Sequence, residues 1–140
     1  MASVKGVNIT NIDSTPVEKA SAAQMHGRLR VAFDSYEASS LASGSDITVA
    51  RLPAGATVYE VSIVHDALGS GVTLTAGDSD DADRLITSTA AASAGEVTMT
   101  DDGAIGGVGH EYSAQTDILI TTGGGTATGT IKCAVYYAVD

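Results

Sequence analysis

The sequence predicts an all-β domain, a jelly-roll-like β-sandwich of about eight strands with an extended N-terminal arm. Three observations predict it. Apolar and polar residues alternate with period two through most of the chain after Gly27, as they do in half-buried strands. The alternating runs are rich in Val, Ile and Thr, which suit a pleated surface. Turn segments bearing Gly, Ser and Asp separate these runs, and none of them carries a sustained helical period.

Residues 1–26 read as a separate arm. Val4, Val7, Ile9 and Ile12 are spaced among Asn, Thr, Ser and Asp without a period, and Pro16 precedes an Ala-, Glu- and Lys-containing stretch, Val17 to Met25. The arm is expected to be extended at first, with at most a turn or two of helix over 17–25, because isolated helices so short are marginal in water. Its apolar residues suit docking, while most termini are partly disordered.

Residues 27–140 form the sandwich. Leu29, Val31 and Phe33 oppose Arg28, Arg30 and Asp34 in the first strand, and Ile47 and Val49 oppose Thr48 in the second. Pro53-Ala54-Gly55 then turns the chain. Tyr59, Val61 and Ile63 share a face over 57–66, and Val72, Leu74 and Ala76 alternate with threonines. Short strands follow at 84–87, 96–100 and 117–122. The last strand places Ile131, Cys133, Val135, Tyr137 and Val139 opposite Lys132, Ala134, Tyr136 and Ala138. Gly123-Gly124-Gly125 reads as a hairpin turn between the last two strands. Tyr136 and Tyr137 point to opposite faces, so one is expected inside and the other outside or in a subunit contact.

Composition limits the function. The 140 residues include one phenylalanine and no tryptophan, so Val, Ile, Leu, Ala and Thr must fill the core. Mean hydropathy is +0.15, yet no apolar run approaches the roughly 20 residues that span a bilayer. The N-terminus has no apolar h-region of a secretory signal. Cys133 is the single cysteine, which rules out an intramolecular disulfide and fits cytoplasmic synthesis. The net charge of −10 argues against nucleic acid and anionic membrane as partners.

No catalytic or cofactor motif emerges. His26, His65 and His110 lack HxH, HxxxH or HExxH spacing, and His65 reads as a strand-end residue. No serine stands in a GxSxG elbow, and Cys133 reads as a small core residue. Gly103 to Gly109 and the triple glycine lack the GK[ST] ending and the following helix of a phosphate loop. Asp78, Asp80, Asp81 and Asp83 place four carboxylates in six positions, enough oxygens to attract calcium. They lack the EF-hand spacing and its final glutamate, so a solvated acidic turn is the stronger reading and weak calcium binding the weaker. No catalytic, cofactor or metal residue is assigned, and the chain is expected not to be an enzyme.

Several segments, in order, resemble small virion structural proteins of tailed bacteriophages. They are Asp34 to Ser45, Leu52-Pro-Ala-Gly-Ala, Asp66 to Leu74, Gly77 to Arg84 and Leu119 to Lys132. The resemblance covers the chain from about residue 27 onward and is to capsid decoration, or cement, proteins. It implies a β-sandwich on the outside of the head, associating as a trimer or a dimer, binding the major capsid protein and needing no cofactor. Alternatives are a tail, head–tail junction or fibre-associated subunit, or a carbohydrate-binding module on the virion surface. The last suffers from a poor stock of aromatic platforms.

Overall fold

The computed structural model describes residues 2–140; Met1, the first residue of the arm, lies outside the described residues. Nine strands are present among the described residues: β1 (Leu29–Leu41), β2 (Asp46–Leu52), β3 (Ala56–His65), β4 (Thr73–Gly77), β5 (Ile86–Ala90), β6 (Gly95–Thr98), β7 (His110–Tyr112), β8 (Thr116–Gly123) and β9 (Ala127–Ala138). Two short helices accompany them, α1 (Val7–Ile12) and α2 (Met99–Asp102).

The strands form two antiparallel sheets, so the all-β sandwich is the fold of this chain. One sheet has the order β1-β9-β3-β6, with β7 also pairing with β3, and the other has the order β2-β8-β4-β5. β6 and β7 lie end to end along one side of β3, on Ser62–His65 and Ala56–Val58 respectively. The pairings nest: β1 with β9, β2 with β8, and β4 with β5. The core between the sheets contains Val58, Val61, Ile63, Leu74, Ile118, Ile120, Ile131, Cys133 and Val135, all fully or almost fully buried. Aliphatic residues fill it as the composition requires; Tyr112 is its buried aromatic, while Phe33 is exposed.

Several local expectations are corrected. Residues Val17 to Met25 are not helical; the arm's helix is α1, earlier in the chain, where extended structure was expected. The strand expected over 96–100 ends at Thr98. There the Thr98 hydroxyl accepts a hydrogen bond from the Asp101 N–H and caps α2, and Gly103 ends that helix at φ 72°, the usual left-handed C-terminal stop. The three-residue β7 is too short to show a period. Gly123-Gly124-Gly125 does not close a hairpin, because β8 and β9 belong to different sheets. The glycines instead carry the chain from one sheet to the other. A Cβ on Gly124 would stand 2.0 Å from the carbonyl oxygen of Gly71.

The largest correction concerns β1. Leu29, Val31 and Phe33 face solvent, while Ala32 and Ala38 pack towards the core. The register with β9 dictates this. Ala32 lies opposite Val135 and Ala38 opposite Gly129, whereas Val31 and Phe33 lie opposite Tyr136 and Ala134. The buried set Ile131, Cys133 and Val135 fixes which side of β9 faces inward, and pairing carries that choice to β1. On the other side of β9, a bulge between Val58 and Glu60 makes Tyr59 the extra residue of β3. Tyr59 therefore leaves the Val61 and Ile63 face and its hydroxyl donates to the Ala23 carbonyl, anchoring the root of the arm.

Candidate functional site

The acidic loop between β4 and β5 is organised by one of its four aspartates. Asp78 is buried, and its Oδ1 accepts from the backbone N–H groups of Asp80 and Asp81 at 3.0 and 2.9 Å. This is an Asx turn, in which a short side chain replaces a backbone acceptor. Its Oδ2 accepts from Arg84 Nε at 2.7 Å and from the Tyr112 hydroxyl at 2.8 Å. Gly77 lets the loop close, because a Cβ there would lie 2.1 Å from the Asp81 carbonyl oxygen.

The electrostatics follow from this geometry. Burial alone would raise the Asp78 carboxyl, but Arg84, Tyr112 and the two N–H groups reverse that and hold it below its usual range. Burial and the bond to Asp78 push the Tyr112 hydroxyl upward. Asp80 and Asp83 are exposed and Asp81 is half-buried, and a hydrogen bond with Asp81 together with charge repulsion from it raises the Asp83 carboxyl. Among the described residues no three His, Cys, Asp or Glu side chains converge as a metal site. Asp78, the best-placed oxygen donor of the loop, is fully committed inward. The melting temperature is accordingly expected to be the same in millimolar calcium and in chelator; a rise of several degrees with calcium overturns this.

Beside the hub lies a groove of about 840 Å³ whose lining includes Arg51, Asp78, Arg84, His110, Tyr112 and Asp117. Both of its guanidinium groups are already paired. Arg51 forms a two-pronged pair with Asp117 at 2.6 and 3.0 Å, which lowers the Asp117 carboxyl and raises Arg51. Arg84 is held by Asp78. The His110 ring meets Tyr112 edge-on with centroids 4.6 Å apart. The two guanidinium groups are thus neutralised by their partners, while Asp80 and Glu111, also in the lining, leave the groove acidic.

The other residues singled out by sequence do not assemble. His26 lies in the arm's root at φ 66°, whereas His65 is buried at the end of β3 with Nδ1 2.8 Å from the Asp66 carbonyl oxygen. Cys133 is buried in the core, where burial and then Asp34 push its thiol up to about 12. Such a thiol is a packing group and a poor nucleophile. Tyr137 packs against the core, and Tyr136 lies half-buried on the outer face of β9. Sequence reading missed Arg84 and Tyr112 as the partners of Asp78. The spacing of Asp78 and Arg84 in one loop was a visible signal, whereas Tyr112 is brought in only by the fold.

Several large apolar side chains outside the core are exposed. Leu29, Val31 and Phe33 on β1 and Val4, Val7, Ile9, Ile12 and Val17 in the arm are all exposed. Contiguous apolar area outside a core marks an interaction surface.

The fold defines a class, a two-sheet antiparallel sandwich with such surfaces, and it has counterparts among solved structures. No family model and no curated protein matches this sequence. In three dimensions the chain is similar to a chain of the cyanophage Pam1 capsid asymmetric unit, with a TM-score of 0.67 and 23% identity over 91% of this chain and 97% of that one. It is also similar to a chain in the capsid of Ralstonia phage GP4, with a TM-score of 0.62 and 17% identity over 81% of this chain and 86% of that one. A chain in the acidic stable capsid structure of Helicobacter pylori bacteriophage KHP30 gives a TM-score of 0.56 and 13% identity, covering 79% and 87%. These likenesses establish the fold.

Proposed function

We propose that this chain is a structural protein of a bacteriophage virion, and specifically a capsid decoration, or cement, protein. In this reading it binds the outside of the head and stabilises contacts between major capsid subunits. It acts as a homo-oligomer, a trimer before a dimer, without catalysis or cofactor. The observation that carries the proposal is likeness over nearly the whole of both chains to a chain in a phage capsid, repeated in two further phage capsid structures. The nested strand order supports the jelly-roll reading, because that connectivity folds as one long ribbon over two sheets.

The surface chemistry supports it too. An acidic chain of net charge −10 suits protein partners better than nucleic acid or membrane. A shell offers many copies of one site, so modest contacts at each subunit add through avidity. Residues 1–26 act as the docking arm and residues 27–140 as the body. The arm's exposed valines and isoleucines gain contact area by ordering on a neighbour, at an entropic cost.

The test is attachment to expanded heads of the phage that encodes the chain, using the full protein and a truncation starting at Gly27. The full protein is expected to attach and the truncation to attach on the order of tenfold more weakly or worse, a loss of about 1.4 kcal/mol or more per site. Undiminished attachment of the truncation overturns the role of the arm. Copy number separates head from tail. On the order of hundreds per virion fits head decoration, while roughly six to a few dozen, the multiplicity of a ring or a few rings, moves the chain to tail or neck.

A further inference from the structure

Two exposed apolar surfaces stand out among the described residues. The first is the outer face of β1 and β9, where Leu29, Val31 and Phe33 are 65%, 57% and 64% exposed and adjoin Tyr136 and Ala134 in register. The only phenylalanine of the sequence stands here. The second is the arm, where Val4, Val7, Ile9, Ile12 and Val17 are 87%, 78%, 42%, 37% and 61% exposed.

One end of the outer face is already covered. Thr57 and Ala138 are register partners on the side away from the core, and both are buried. Ala23 is buried as well, and its carbonyl accepts the Tyr59 hydroxyl, so the root of the arm sits at this end. The rest of the arm does not continue along the face. Its side-chain bonds stay within the arm: Lys5 Nζ reaches Asp13 at 2.6 Å and Asn8 Nδ2 reaches Gln24 at 3.3 Å.

We propose that residues 4–17 of a second copy of this chain cover the outer face of β1 and β9. The inference rests on the reading of residues 1–26 as a docking arm given above, and it does not require a capsid. Two properties select this occupant. The arm matches the face in character, since Lys5 and Lys19 balance Asp13 and Glu18 and leave it neutral and apolar. The amount matches, because eight exposed aliphatic and aromatic residues offer several hundred Å², the order of the about 800 Å² per partner in a stable interface. Exchange of a terminal element between identical chains is an economical route to closed symmetric oligomers.

The experiment cross-links two full-length variants, Ile9→Cys and Phe33→Cys, one carrying a mass tag, with a short bifunctional maleimide. Both positions are exposed, and the native Cys133 is buried and stays silent. The expected product is a tagged–untagged heterodimer, absent when Ile105→Cys, in a loop elsewhere, replaces Phe33→Cys. Sedimentation of the unaltered chain is expected to show an oligomer that Phe33→Asp weakens at least tenfold while the β-sheet spectrum is kept. A double variant that cross-links only within one chain overturns the proposal, as does a monomeric unaltered chain at roughly 100 μM, where any interface of micromolar affinity is filled. An oligomer unaffected by Phe33→Asp also overturns it. Failure to attach to heads with the heterodimer cross-link intact counts against the capsid role alone.

Discussion

Replacing Asp78 by alanine is expected to lower stability by about 3–5 kcal/mol, the cost of removing one partner from a buried ion pair. The loss is large because one carboxylate serves four donors: the Asp80 and Asp81 N–H groups, Arg84 Nε and the Tyr112 hydroxyl. Removing it leaves a partly buried guanidinium without its charge partner and reopens the loop between β4 and β5. For a domain of this size the melting temperature should fall by roughly 10–20 °C. Asp78→Asn is expected to lie between the two, since its carbonyl oxygen still accepts the loop N–H groups but its amide cannot accept from Arg84 or Tyr112. Equal stability of Asp78→Ala and the unaltered chain in a denaturant titration overturns the hub.

The same carboxylate predicts a pH dependence. Its folded-state pKa lies below the ordinary value, so in the acid range the unfolded chain binds its proton first. The stabilisation is fully present above the unfolded carboxylate value of about 3.9 and is lost as pH falls through the lower folded value. Asp117 acts with the same sign but is exposed. In Asp78→Asn the acid slope of stability should be shallower than in the unaltered chain.

A second large effect is expected at Gly124. Gly124→Ala should cost about 2–5 kcal/mol, combining a left-handed backbone with displacement of a packed neighbour. Gly124 has φ 74°, and a Cβ there would press into the Gly71 carbonyl group of the adjoining loop. Both contacts are backbone to backbone, so no side chain can swing aside. Gly44→Ala isolates the first component, because Gly44 has φ 83° with open space around its missing Cβ. Thermal melts of the two variants should differ by several degrees, with Gly124→Ala the lower. Equal melts would show that the loops part freely.

The sequence makes the sandwich legible where a strand is central. β9 alternates Ile131, Cys133 and Val135 with polar or small residues, and those three are buried as the alternation requires. In β1 the same alternation is present but its direction is not. Period two announces two faces, and choosing the inward one needs a neighbour's register whenever the outer face is also apolar. Tyr59 escapes for a related reason, since a bulge adds a residue without altering the pattern around it. The acidic loop shows the limit for sites. Four aspartates look alike in sequence, and Asp78 is distinguished by Tyr112, which the fold supplies from 34 residues away. The triple glycine announces a turn, but it does not say that the turn passes from sheet to sheet.

The pairing of the first and last strands has a mechanical consequence. The arm enters β1 beside the C-terminus, where the Arg28 N–H reaches Asp140 at 3.3 Å. From there β1 and β9 run without a register break from Leu29 opposite Ala138 to Ala38 opposite Gly129. A pull on the arm along the strand axis loads this ladder in shear, so its hydrogen bonds share the force and must fail together. A sideways pull peels them one at a time. The chain is built to hold tension in one direction and yield in another, which makes the angle at which the arm leaves the body a determinant of its strength.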